Sequence, residues 1–155
     1  MAVNLVKMIV VLQRVKKAQV IIDEKIYSKI GSGILIFIGI QNKDKEKNAK
    51  FLANKIYNLR IFSDDKKKLN KNIKDVNGEI MVVSQFTLYG DCQKGSRPSF
   101  IKSAPKSHAL PVYDFFVNRL KEFQIPVKTG KFGADMQVNL ENDGPVTLII
   151  KSENE

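Results

Sequence analysis

The sequence predicts an α/β fold with substantial antiparallel pairing and two main helices. Three observations carry that prediction. Gly33 to Ile40, GILIFIGI, is apolar at almost every position, as a strand covered on both faces must be. Two stretches, 44–59 and 108–123, repeat apolar residues at helical spacing. The other apolar runs are short and bounded by turn residues. Their order is three strands, helix, strand, helix, then two or three strands, which makes the helices the cover of a sheet.

The elements follow in turn. Met8 to Val15 reads as a strand ending in Gln13-Arg14-Val15. Ala18 to Ile22 and Lys25 to Ile30 flank Asp23-Glu24 as a hairpin. Asp44 to Leu59 is a helix with Ala49, Leu52, Ala53, Ile56 and Leu59 inward, capped by Asn42 or Asp44. Residues 63–78 are polar and lysine-rich, a loop with at most short structure that closes on an Asn77-Gly78 turn. Glu79 to Leu88 is a strand, and 89–107 a long polar loop of the length that often carries function. The second helix spans His108 to Phe123, with Pro111 tolerable only in its first turn. Gln137 to Leu140 and Val146 to Ile150 are the closing strands. One domain is expected over residues 1–151, with 152–155 as a short polar tail.

Composition narrows the chemistry. The 155 residues are 43% hydrophobic and 27% charged, enough for one sizeable core. No apolar run approaches the ~20 residues of a membrane span. The N-terminal stretch lacks a cleavage site and an Arg- and Ser-rich character, so a cytoplasmic location is expected. Cys92 is the only cysteine and His108 the only histidine. A Cys/His metal site lacks its ligands, and a Ser-His-Asp or Cys-His centre would have to use His108, which reads as a surface residue near a helix start. Net charge is +10. Residues 43–74 hold eleven basic and four acidic groups (+7), and residues 94–131 eight and two (+6). Such a field suits a polyanionic partner such as nucleic acid, although 22 lysines among 26 basic residues also fit a plain solvated surface.

Four stretches have chemical potential. In SQFTLYG, Ser84, Gln85 and Thr87 put polar groups where a strand leaves the core. They either satisfy the strand end or, with backbone N–H groups, hold a carbonyl oxygen. Thr87 as a nucleophile would need a base, and none is near in sequence. In KGSRPSF, Lys94 and Arg97 are solvated loop charges or phosphate contacts. Arg14, set among apolar neighbours, either reaches solvent or braces another segment with its fork of donors. Phe132 and Met136 are either core or the mouth of a pocket beside Gly144-Pro145. That dipeptide heads the last strand, where proline cannot donate to a ladder.

Taken together, QRV (13–15), GSGILIFIGI (31–40), LRIFSD (59–64), VVSQFTLYGD (82–91), KGSRPSF (94–100), YDFFV (113–117), TGKFGADMQV (129–138) and NDGPVT (142–147) resemble the D-aminoacyl-tRNA deacylase family of the DTD type, in family order and over nearly the whole chain. The N-terminus is several residues longer than the usual family start, and the lysine-rich middle is idiosyncratic. The resemblance implies β/β/α layers and a cofactor-free, metal-free homodimer. It implies hydrolysis of the ester between a D-amino acid, or mischarged glycine, and the 3′-terminal adenosine of tRNA. It implies that Gly144-Pro145 forms a cis dipeptide that enters the partner subunit's pocket and blocks an L side chain, with Arg14 as its brace. Ser84, Gln85, Phe86 and Thr87 match the opposite wall, and Phe132 and Met136 the surroundings of the adenosine. Two chemistries remain open within that resemblance: Thr87 as nucleophile, or attack assisted by the ribose 2′-OH with backbone N–H groups of Phe86 and Thr87 on the carbonyl oxygen. The competing reading is a nucleic-acid-binding homodimer, with DNA as one candidate partner. A structural homodimer of degenerate activity is a third.

Overall fold

The computed structural model describes residues 7–152. Its elements are β1 (Ile9–Ile22), β2 (Lys25–Ile30), β3 (Gly33–Gly39), α1 (Glu46–Asn58), β4 (Phe62–Ser63), β5 (Leu69–Lys71), β6 (Glu79–Ser84), a 3-10 turn (Phe86–Tyr89), α2 (Lys106–Lys121), β7 (Val127–Thr129) and β8 (Gln137–Lys151). The α/β class, the two helices and the largely antiparallel character are as the sequence predicts.

β1 is one strand of fourteen residues, where the sequence reading divides it in two. The exposed pair Lys16-Lys17 breaks the apolar pattern, but the strand continues through it, with Lys17 opposite Glu141 of β8. Residues 9–15 pair antiparallel with β3, and residues 18–22 with β2. β8 takes the opposite edge over residues 9–21. β3 and β6 run parallel, as do β6 and β7. The sheet curls far enough that the Ser28 hydroxyl on β2 donates to the Thr129 carbonyl on β7 at 2.8 Å.

β3 shows why GILIFIGI is apolar throughout. Ile34, Ile36 and Ile38 face the helices with Ile80 and Val82 of β6, while Leu35 faces the other way with Met81 and Val83. β1 changes sides along its length: Val10 and Leu12 pack toward the helices, whereas Val15, Ala18 and Val20 join the second core. Val15 faces away from Leu12 by ordinary alternation, and the register shift between Val15 and Lys17 brings Ala18 and Val20 to the same side, since a bulge re-aims every following side chain. One core therefore lies between sheet and helices and the other within the curl of the sheet. Fully buried Phe116, Leu52, Ile56 and Leu120 fill the first. Each such side chain is worth about 1.5–3 kcal/mol relative to exposure.

Four other boundaries move. β6 stops at Ser84, and the chain enters the 3-10 turn, so the expected strand to Leu88 is too long. α1 starts at Glu46 with Lys45 at its N-cap, and the Lys45 N–H donates to the Asn48 side chain at 2.9 Å. The Asp44 carboxylate, expected as a cap, accepts the Gln41 N–H at 2.8 Å instead. α2 begins at Lys106, which leaves Pro111 in the second turn rather than the first. Ser152, placed in the tail by sequence, is buried, and its N–H donates to the Met8 carbonyl at 3.0 Å.

Candidate active site

The site stands at the C-terminal ends of the parallel strands β3 and β6. There the ladder ends and the Gln85 N–H makes a last bond to the Ile38 carbonyl at 2.8 Å. Gly39 lets the following turn lie against β3: a Cβ on it would come within 3.0 Å of the Tyr89 ring and 3.3 Å of the Gln85 carbonyl. The Tyr89 hydroxyl lies 2.8 Å from the Lys7 carbonyl and 3.0 Å from the Gly39 carbonyl, fastening the turn's far end. The Ser103 hydroxyl donates to the Phe86 carbonyl at 2.9 Å and fastens its near end.

Against this turn opens a cleft of about 290 Å³. Ser84, Gln85 and Phe86 form one wall, and Phe132, Asp135 and Met136 another. Five predicted site residues, from Ser84 to Met136, 52 positions apart in sequence, thus share one cavity. Phe132 is held edge-to-face against Tyr113, centroids 5.4 Å apart. The exposed Thr87 is on the same turn, and its hydroxyl accepts a hydrogen bond from the Gln85 amide.

Arg14, Gly144 and Pro145 are not part of that cleft lining. They come together at the middle of β8, which is a single strand where sequence predicts two. Gln13 pairs with Thr147, yet Val15 pairs with Asn142. Two steps along β1 thus match five along β8, so three extra residues are pushed out as a bulge. The Gly144-Pro145 peptide in it is cis. The Asn142 side chain replaces the lost ladder, accepting the Val146 N–H and donating to the Thr147 hydroxyl, both at 2.8 Å. Arg14 is buried behind the bulge. Its Nε donates to the Asp143 carbonyl at 3.0 Å, and its Nη1 to the Ile61 carbonyl at 2.7 Å. The Asp143 carboxylate stands 3.4 Å from Nε. A brace, rather than a solvent-seeking side chain, is what this arginine forms.

Lys94 and Arg97 are exposed on the loop beyond the turn. His108 is half-buried rather than on the surface, with Nε2 2.7 Å from the Asp44 carbonyl, so Nε2 carries the proton there. It does not line the cleft. Burial pushes the Tyr89 hydroxyl far above the ordinary tyrosine range, helped by the Asp44 charge, and burial does the same to Tyr113. Burial also raises the Asp44 carboxyl. The only acid or base among the cleft's lining residues is Asp135. This cleft is better equipped to orient and polarise a substrate than to exchange protons with it.

Sequence reasoning missed Ser103, Tyr89 and Asp135. Ser103 gave no signal, being one serine in a polar loop. Tyr89 opens the predicted loop, one residue past the predicted strand, and only the 3-10 turn shows that its ring packs back against Gly39 of β3.

Known proteins supply the remaining comparison. A profile of the family described as D-Tyr-tRNA(Tyr) deacylase matches residues 11–151. A protein of Thermodesulfovibrio yellowstonii named D-aminoacyl-tRNA deacylase is 53% identical over 145 residues, covering 94% of this chain and 99% of that protein. One of the same name from Thermosipho africanus is 51% identical over 143 residues, 92% of this chain and 96% of that one. Among solved structures, one titled c-Myc DNA Unwinding Element Binding Protein superposes with a TM-score of 0.87 at 39% identity, covering 94% of this chain and 99% of its own. A probable eukaryotic D-amino acid tRNA deacylase superposes at 0.78 with 18% identity, covering 94% and 100%, a likeness of fold.

Proposed function

The chain belongs to the D-Tyr-tRNA(Tyr) deacylase family, and on that premise we propose that it hydrolyses the ester joining a D-amino acid, or mischarged glycine, to the 3′-terminal adenosine of tRNA. Free amino acid and tRNA leave, in the cytoplasm, with no cofactor or metal. The observation that carries the reading is the pairing of a base-poor cleft with a backbone bulge that cannot serve it from within the same chain. Val138 lines the cleft, while the bulge that carries Gly144 opens at Asn142, four residues or roughly 13 Å further along β8 at the rise of an extended strand, and none of the bulge residues lines the cleft. In a homodimer the bulge of one subunit enters the cleft of the other.

There the carbonyls of Gly144 and Pro145 face the substrate α-carbon. An L side chain meets close-packed backbone, a D side chain points away, and glycine has nothing to exclude. The terminal adenosine lies against Phe132 and Met136. The N–H groups of Phe86 and Thr87 begin the 3-10 turn, where a helix leaves its first donors without intrahelical partners. They receive the carbonyl oxygen as it becomes an oxyanion. Water adds to the carbonyl carbon with help from the ribose 2′-OH, the ester C–O bond breaks, and the 3′ oxygen takes up the proton. The Thr87 hydroxyl, tied to Gln85, positions the turn. Lys94 and Arg97 contact tRNA phosphates. The DNA-directed alternative is not favoured: relatives at about 50% identity are named deacylases.

The test is hydrolysis of D-Tyr-tRNA against L-Tyr-tRNA by the purified protein, with Thr87→Ala and a substrate whose terminal ribose lacks the 2′-OH measured in single turnovers. Selective cleavage of the D-ester is expected, with the 2′-deoxy substrate slowed more than the variant enzyme. Equal cleavage of the D- and L-esters would refute chiral selection. Loss of turnover in Thr87→Ala with normal reaction of the 2′-deoxy substrate would make Thr87 the nucleophile.

A further inference from the structure

Beyond the cleft, three large apolar side chains stand in water on one short stretch of surface. Phe86 is 57% exposed, Phe100 38% and Ile101 86%. An exposed apolar patch rimmed by polar residues marks a contact surface. The rings of Phe86 and Phe100 meet edge to face, centroids 5.2 Å apart at 74°. Gly90 makes room for the second ring, since a Cβ there would stand 3.0 Å from Phe100 Cε1. The loop that carries Phe100 is tied at both ends. Asp91 and Ser99 exchange backbone bonds of 2.7 and 2.9 Å, and Ser103 holds the Phe86 carbonyl. The segment that carries Phe100 and Ile101, residues 91–106, holds the exposed Lys94, Arg97, Lys102 and Lys106 against one acid, Asp91. Phe86 also belongs to the cleft wall, so patch and cleft are continuous.

We propose that Phe86, Phe100 and Ile101 form a stacking platform for the unpaired nucleotides that precede the terminal adenosine of the substrate RNA. The inference rests on the reading of the cleft as the adenosine site and extends it outward by one or two nucleotides. An aromatic face accepts any base, and the cations around it follow the phosphates of the same strand. Charge selects this occupant over a second copy of the chain. Two patches each carrying four cations and one acid repel, whereas RNA is drawn to them.

The experiment uses a short oligoribonucleotide with 2-aminopurine directly before a terminal adenosine, whose fluorescence falls on stacking. Its affinity is measured with the wild-type protein, Phe100→Ala, Phe100→Trp and Ile101→Ser, the last at a site too exposed to threaten folding. Turnover of D-tyrosyl-adenosine, which lacks the preceding nucleotides, is measured beside that of D-Tyr-tRNA. Quenching by the wild type is expected. Phe100→Ala should weaken binding by about tenfold or more, the usual scale for one stacked base, with restoration by Phe100→Trp. KM for D-Tyr-tRNA should rise while turnover of D-tyrosyl-adenosine is unchanged. Affinity unaltered in both Phe100→Ala and Ile101→Ser would overturn the proposal. So would equal loss on the two substrates, which would make Phe100 a support of the turn, or a change of oligomeric state in Ile101→Ser without change in RNA affinity. If the wild type quenches the probe but cleaves neither ester, the deacylase reading fails and the platform stands.

Discussion

Replacing Arg14 by alanine is the sharpest test of how the Gly144-Pro145 bulge is held. The guanidinium donates two hydrogen bonds to carbonyls, at 2.7 Å to Ile61 and 3.0 Å to Asp143, from a side chain that is 10% exposed. Hydrogen bonds from a charged donor contribute about 1.5–3 kcal/mol each. The Asp143 carboxylate at 3.4 Å is 39% exposed, so solvent screening limits it to about 1 kcal/mol at most. Alanine also strands the Ile61 carbonyl in a buried position. The expected loss is about 3–5 kcal/mol, and at ~2–4 °C per kcal/mol for a chain of this size the midpoint falls by roughly 10 °C. Arg14→Lys should recover part of this, because one ammonium cannot reproduce the two-pronged contact. Thermal and urea unfolding give the stability. At a temperature where all three proteins are folded, the rate ratio on D- and L-Tyr-tRNA should fall in the order wild type, Arg14→Lys, Arg14→Ala. An Arg14→Ala protein within about 1 kcal/mol of wild type would show that the bulge is held by something else.

Gly144→Ala should act on the same corner from the other side. With φ at 129°, its Cβ would lie 2.9 Å from Arg14 Nη2 and 2.9 Å from Val146 Cγ2, so a stability loss of about 1–3 kcal/mol and a reduced D-to-L rate ratio are expected in unfolding and kinetic assays. Asp44→Asn should reveal a buried carboxyl through pH. Burial raises the folded-state pKa above the ordinary 3.8, so the folded state binds more protons between 3.8 and the raised value. Wild-type stability should therefore fall relative to Asp44→Asn as pH rises through that window; parallel pH profiles from urea melts would contradict this. Binding of tRNA should weaken steeply with salt, log K falling by about 0.7–0.9 per phosphate contact for each unit of log salt. A flat titration would remove the lysine-rich surface from the account.

What the sequence shows of the fold depends on how much pattern each element carries. GILIFIGI is legible because both faces of β3 are buried, so no polar residue interrupts it. α1 and α2 are legible because one face alone is buried. β8 is not, since most of its residues are exposed or half-buried and the run around Gly144-Pro145 looks like a turn. Only the register against β1 reveals three residues extruded from a continuous strand. β7 is three residues long and follows Pro126, too short for any periodicity. The 3-10 turn was concealed by its own composition, because SQFTL continues an apolar strand pattern while Phe86 points to solvent.

The site was legible through resemblance more than through pattern, and the reason lies in what builds it. Ser84, Gln85 and Phe86 meet Phe132 and Met136 only because β3 and β6 run parallel and end together, placing a cleft at their C-terminal ends, where open α/β sheets commonly bind ligands. No periodicity in either segment reports that meeting. The bonds that fix the turn also leave no trace in composition. The Ile38, Gly39 and Lys7 carbonyls are backbone, and Ser103 is an unremarkable serine in a polar loop. Yet these bonds give a cleft poor in acids and bases its means of acting on an ester. They hold the turn at three of its residues, Gln85, Phe86 and Tyr89, so its first N–H groups need not reorganise when charge develops on a substrate oxygen. A donor already in place does not expend interaction energy on its own alignment, and in a partly enclosed cavity its effect on an oxyanion exceeds what water provides.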